Sequence, residues 1–138
     1  MEKQWERGTA AMKESLSHLK AGEDAQALNI LDSALAQAME ENQSTWVRLI
    51  CHHAAVVAHH MGDRDREIRY EGQSLPYAKD YRFAAFSFAE LLLRDGQRDL
   101  AQRYATEAYE LSCTSDTEAD RDLTAAILRQ WPYLASSS

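Results

Sequence analysis

Loop-making residues are scarce in this chain, with five glycines and two prolines among 138 residues. That excludes Pro/Gly-rich disorder and collagen-like repeats, and it points to long ordered elements joined by tight connections. Cysteine is scarcer still. Cys51 and Cys113 are too few and too far apart for a disulfide framework, so both are expected as reduced thiols used for packing or left at the surface. No uninterrupted run of about 18 apolar residues exists to cross a bilayer. The stretch from Met1 to Ala10 is polar and charged rather than signal-like. Positive charge is also short: 15 Lys and Arg against 22 Asp and Glu leave a net charge of -7, a field that repels phosphate backbones and anionic lipid. Neither a nucleic-acid partner nor membrane insertion is expected, and a cytoplasmic protein is.

What is present is helical periodicity. From Asp24 to Glu41, Ala27, Leu28, Leu31, Ala34, Leu35, Ala38 and Met39 recur on one face, with Asp24 as the expected cap and Gly22 as the end of the preceding helix. Asn42 and Ser44 or Thr45 mark the next break. Val47, Ile50, Cys51, Ala54, Ala58 and Met61 then form a second stripe, closed at Gly62-Asp63. The stretch from Arg64 to about Ala78 has a thin stripe of Ile68, Leu75 and Ala78, interrupted by Pro76, which lacks a helix donor. Asp80 is the expected cap of a helix through Phe83, Phe88 and Leu92 that closes at Asp95-Gly96. Asp99 to about Ser112 follows, and a last helix carries Leu123, Ala126, Ile127 and Trp131 before Pro132. The sum is about seven helices and no strand pattern, so the class is all-α, in one domain over residues 1–135, with 136–138 a frayed tail.

The helices are not independent. Gly22, Gly62 and Gly96 each stand at a turn inside a helical hairpin, 40 and then 34 residues apart. Five residues after each stand Ala27, Glu67 and Ala101; twelve after, Ala34, Ser74 and Ala108; seven before, Ser15, Ala55 and Ala89. Eight of these nine are small, which permits close approach of helices within a hairpin and between hairpins. On this frame, and on the segments AGEDAQALNILDSAL and DGQRDLAQRYATEAY, with MGDRDREIRYEGQSL as a degenerate middle copy, the chain resembles the tetratricopeptide repeat family. Glu67 and Pro76 are where the middle copy departs from the pattern. The resemblance implies antiparallel hairpins stacked as a short right-handed α-solenoid, with repeats at about 8–41, 46–79 and 80–113 and a capping helix at about 117–131.

It also implies binding rather than catalysis: an adaptor that holds a peptide or helix of another protein in a concave groove. In the repeat register that groove is lined by Met12, Leu16, Leu49, His52, Val56, His59, Phe83, Phe86 and Glu90. It lacks the Lys and Asn cluster that would suit a terminal carboxylate. The alternative is a self-associating repeat protein, a homodimer through the terminal helix or the groove, which exposure of Trp5, Trp131 and Tyr133 would favour. A minor alternative lies in His52, His53, His59 and His60, as a metal or pH-sensing group. Its weakness is geometric, because histidines seven apart stand about 10 Å apart along a helix, whereas one ion wants spacings of three or four. No cofactor is expected. The chain has no GxSxG, HExxH or phosphate-cradling glycine loop, so an enzyme is not expected either.

Overall fold

In a computed structural model that describes residues 5–137, seven α-helices and no strand are found. They are α1 (Glu6–Lys20), α2 (Asp24–Glu40), α3 (Ser44–Met61), α4 (Arg64–Ser74), α5 (Tyr81–Arg94), α6 (Arg98–Ser112) and α7 (Glu118–Gln130). Four of their connections share one backbone solution. Gly22, Asn42, Gly62 and Gly96 all have positive φ, at 78, 57, 74 and 82°. Each of these amides bonds a carbonyl three residues back, and the next amide bonds one five back: Gly22 to Leu19 with Glu23 to His18, Asn42 to Met39 with Gln43 to Ala38, Gly62 to His59 with Asp63 to Ala58, Gly96 to Leu93 with Gln97 to Leu92. This is the Schellman closure, which satisfies a helix's last carbonyls and reverses the chain at once. A left-handed backbone disfavours most side chains, so glycine fills three sites and asparagine the fourth.

Because the closure uses the residue after the left-handed one as the start of the next helix, the expected caps shift by one position. Glu23, not Asp24, is the N-cap of α2, and neither Glu23, Gln43 nor Gln97 makes a side-chain cap bond. Asp63 has the short acceptor the position needs, and it takes the Arg66 amide at 3.1 Å. Asp80 stands at the N-cap of α5 but makes no side-chain cap bond, its carboxylate lying instead 3.3 Å from Arg82 Nε. Pro76 acts as its chemistry dictates: α4 stops at Ser74 and Leu75–Tyr77 tightens into a 3-10 turn. A second 3-10 segment, Pro132–Ser137, follows α7 and takes in part of the stretch expected to fray, while Ser138 lies outside the described residues.

By contact the chain divides into two compact units, with the boundary between Tyr77 and Ala78. In the first, each helix packs on the next and α1 also touches α3. Trp5 and Trp46, with ring centroids 5.8 Å apart, bring the starts of those two helices together over Gly8. Leu28, Leu31 and Leu35 from α2 meet Val47, Ile50, Cys51 and Ala54 from α3 in the core. The fully buried Tyr70 of α4 donates to Asp32 of α2 at 2.6 Å, so a buried hydroxyl is satisfied and α4 is tied down.

In the second unit Phe88 of α5 stacks edge-on against Tyr104 of α6, 5.0 Å between centroids. Near the starts of α5 and α7, Arg82 donates to both carboxylate oxygens of Asp120 at 2.8 Å. Near their ends, Gln130 donates to Glu90 at 2.8 Å. These two ties make α5 and α7 run side by side in one direction. Trp131 and Leu134 are buried beyond them. The small-residue frame behaves as close packing requires: Ser15, Ala27, Ala34, Ala55, Ala89, Ala101 and Ala108 are all buried, and Ser74 is half-buried.

Candidate functional site

Helix α3 has two unlike sides. Trp46, Val47, Ile50, Cys51, Ala54, Ala55, Val57 and Ala58 are buried, which commits that side to the core. Leu49, His52, Val56 and His59 stand at three-, four- and three-residue spacings, one helical stripe, and all are exposed. Leu49 and Val56 keep 39% and 42% of their surface, which is high for aliphatic residues on a helix otherwise so deeply packed. On α1, Leu16 is exposed, whereas Met12 is half-buried against the core.

The stripe borders a cleft of about 220 Å³ between α3 and α4, lined by His52, Ala55, Val56, His59, Glu67 and Glu71. His59 Nδ1 lies 3.3 Å from Glu67 Oε1. Burial pushes the Glu71 carboxyl above the usual carboxylate range; His52 opposes that shift and the Glu67 charge adds to it. Burial, with His52 beside it, lowers His53. Burial likewise pushes the Cys51 thiol up to about 12, leaving it a packing residue with no thiolate character at neutral pH. Neither carboxylate of the cleft stood out in the sequence. Glu67 read only as a departure from the repeat and Glu71 was not singled out, because their meeting with His52 and His59 depends on how α4 packs on α3.

The aromatic part of the expected groove lies in the second unit, where its members divide. Phe83 is exposed. Phe86 is half-buried and sets its ring against Trp131, centroids 6.5 Å apart, so part of its surface already serves the fold. Glu90 is half-buried and accepts the Gln130 bond. Of the residues whose exposure would favour self-association, Trp5 and Trp131 are buried, while Tyr133 is exposed and donates to Gln102 at 2.9 Å.

Among the described residues no group of three or more His, Cys, Asp and Glu side chains is placed to hold a metal ion. Nor is any helix among them long and apolar enough to cross a membrane. No family model matches the chain, and no curated protein matches it.

Proposed function

We propose that the chain is a protein-binding module of the tetratricopeptide-repeat type, which holds a segment of another protein along the exposed stripe of α3 and the neighbouring side of α1. The observation that carries this reading is the stripe itself: Leu49, His52, Val56 and His59 stand open on a helix whose other side is completely committed to packing. Exposed aliphatic residues in a row lose water favourably when a partner covers them, at roughly 25 cal/mol per Å². Alternating imidazoles supply polar contacts without fixing a charge, so a helical or extended segment with apolar anchors at matching spacing suits the surface. The repeated Schellman turns, the buried small-residue frame and the side-by-side pairing of α1 with α3 and of α5 with α7 support the family reading. The function is binding, with no chemistry assigned to any residue.

A photocrosslinking amino acid at Val56, compared with one at the exposed Ala25 of α2, tests the reading in extract of the source cell. One or a few adducts formed from Val56, absent from Ala25 and lost on Leu49→Asp, are expected. Equal adducts from both positions would overturn it. Light scattering across concentrations identifies the remaining case, in which the stripe is covered by a second copy of this chain.

A further inference from the structure

The charged side chains of α4 are mostly paired. Arg66 lies 3.5 Å from Asp63, Arg64 lies 4.0 Å from Glu67, Arg69 lies 3.8 Å from Asp32, and Glu67 also meets His59. Glu71 is the exception among the half-buried ones. Its carboxylate has no hydrogen-bond or ion-pair partner among the described residues, although it lines a cleft rather than open surface. A half-buried carboxylate without a partner costs free energy in the empty protein, and burial accordingly raises its pKa. A cation entering the cleft removes that cost.

The walls narrow the choice of cation. Ala55 and Val56 give the cleft an apolar side, and the imidazoles of His52 and His59 flank the carboxylates of Glu71 and Glu67. A small metal ion gains nothing from the apolar side and lacks a set of ligands there. A long basic side chain uses every wall: its methylenes lie on Val56 and Ala55 while its head reaches Glu71. Arginine fits better than lysine, because a guanidinium is planar, stacks on flat rings, forks onto a carboxylate and is less strongly hydrated than an ammonium. The net charge of -7 favours approach of a basic segment over an acidic one.

We propose that the cleft between α3 and α4 is a socket for an arginine side chain of the bound partner segment, with the guanidinium on Glu71 and the aliphatic stem against Val56 and Ala55. The assignment rests on the binding reading above and specifies the partner's chemistry at that surface: an arginine among apolar anchors.

The test uses the full chain and Nα-acetyl-arginine methylamide as probe, with the citrulline analogue as a neutral isostere and the lysine analogue as a second cation. NMR follows the ring signals of His52 and His59 and the methyls of Val56. Saturable shifts at about millimolar probe are expected, at least about tenfold weaker for citrulline and for Glu71→Gln. Glu67→Gln, which keeps Glu71, is expected to weaken binding less. An equal response to citrulline, an unchanged affinity in Glu71→Gln, or shifts elsewhere on the chain would overturn the socket. A lysine response equal to that of arginine would overturn the choice of arginine. The crosslinking from Val56 is read separately: adducts there with no probe binding sink the socket alone, and probe binding without adducts sinks the partner reading alone.

Discussion

Gly8 is the residue on which the placement of α3 against α1 turns, and Gly8→Ala tests it with two opposed effects. Alanine favours a helix over glycine by up to about 1 kcal/mol, and less at the third residue of α1, where the helix is only beginning. Against this, a Cβ at Gly8 would stand 2.5 Å from Cε3 of both Trp5 and Trp46 and 2.7 Å from Cδ2 of Trp46. Those separations are about 1 Å inside ordinary carbon contact. Both indoles are buried, so neither ring swings away freely, and forced overpacking of this kind costs about 1–3 kcal/mol. The steric term wins, for a net loss of about 1–2 kcal/mol, or roughly 3–7 °C in Tm for a chain of this size. Scanning calorimetry on the wild type, Gly8→Ala, Trp46→Leu and the double variant measures it. In the Trp46→Leu background the alanine cost should shrink by about 1 kcal/mol, the coupling expected of residues in contact. A Gly8→Ala protein more stable than wild type, by the amount helix propensity alone provides, would refute the Trp5–Gly8–Trp46 contact and with it the pairing of α1 with α3.

Four further outcomes are expected. Burial raises the Glu71 pKa above its unfolded value, so its contribution is lost as pH rises through the folded pKa; Glu71→Gln should raise Tm at pH 7.5, and the gain should vanish below the ordinary glutamate value of about 4.3. A Tm difference independent of pH would remove the unpaired carboxylate. Hydrogen bonds from Ser115 and Arg82 lower the Asp120 pKa, so its stabilisation is present above the unfolded value of about 3.9 and lost as pH falls through the folded one. Asp120→Asn should therefore lower Tm at pH 7, with the gap closing in acid; thermal melts at both pH values decide it. Ala101 is fully buried, and Ala101→Leu should cost about 1–3 kcal/mol in denaturant melts, an unchanged midpoint contradicting the close approach of α5 and α6. Phe86→Ala should lower Tm more than Phe83→Ala, since only Phe86 lies against Trp131, and equal losses would break that distinction.

The helices and three of the four left-handed turns were legible because they rest on local chemistry. Glycine with positive φ is readable from the residue type, and amphipathic spacing is readable from the order of residues. Asn42 was legible only as a break, since asparagine adopts the left-handed region without requiring it. The caps were misplaced at Asp24 for a physical reason: in a Schellman closure the start of the next helix is set by the preceding helix's end, so Glu23 takes the N-cap whether or not its long side chain can serve there. The stripe on α3 was expected from the repeat register that the resemblance implies. The commitment of Phe86 to Trp131 and the cleft around Glu71 did not, because both depend on helices brought together from elsewhere in the sequence.

The degenerate middle copy is where the expected repeat and the site converge. At the position five residues after the turn glycine, Ala27 and Ala101 are fully buried, while the middle copy has Glu67, whose side chain is 14% exposed. Helices α3 and α4 still pack on each other, so the substitution changes the chemistry of the cleft wall rather than the closure of the hairpin. An alanine there would leave an apolar wall beside Val56, whereas the glutamate sets a carboxylate 3.3 Å from His59 Nδ1, with Glu71 one helical turn further along α4. The departure from the repeat thus places two acidic groups beside the exposed stripe of α3, and that gives this surface a preference for cationic groups that a small residue at the same position could not supply.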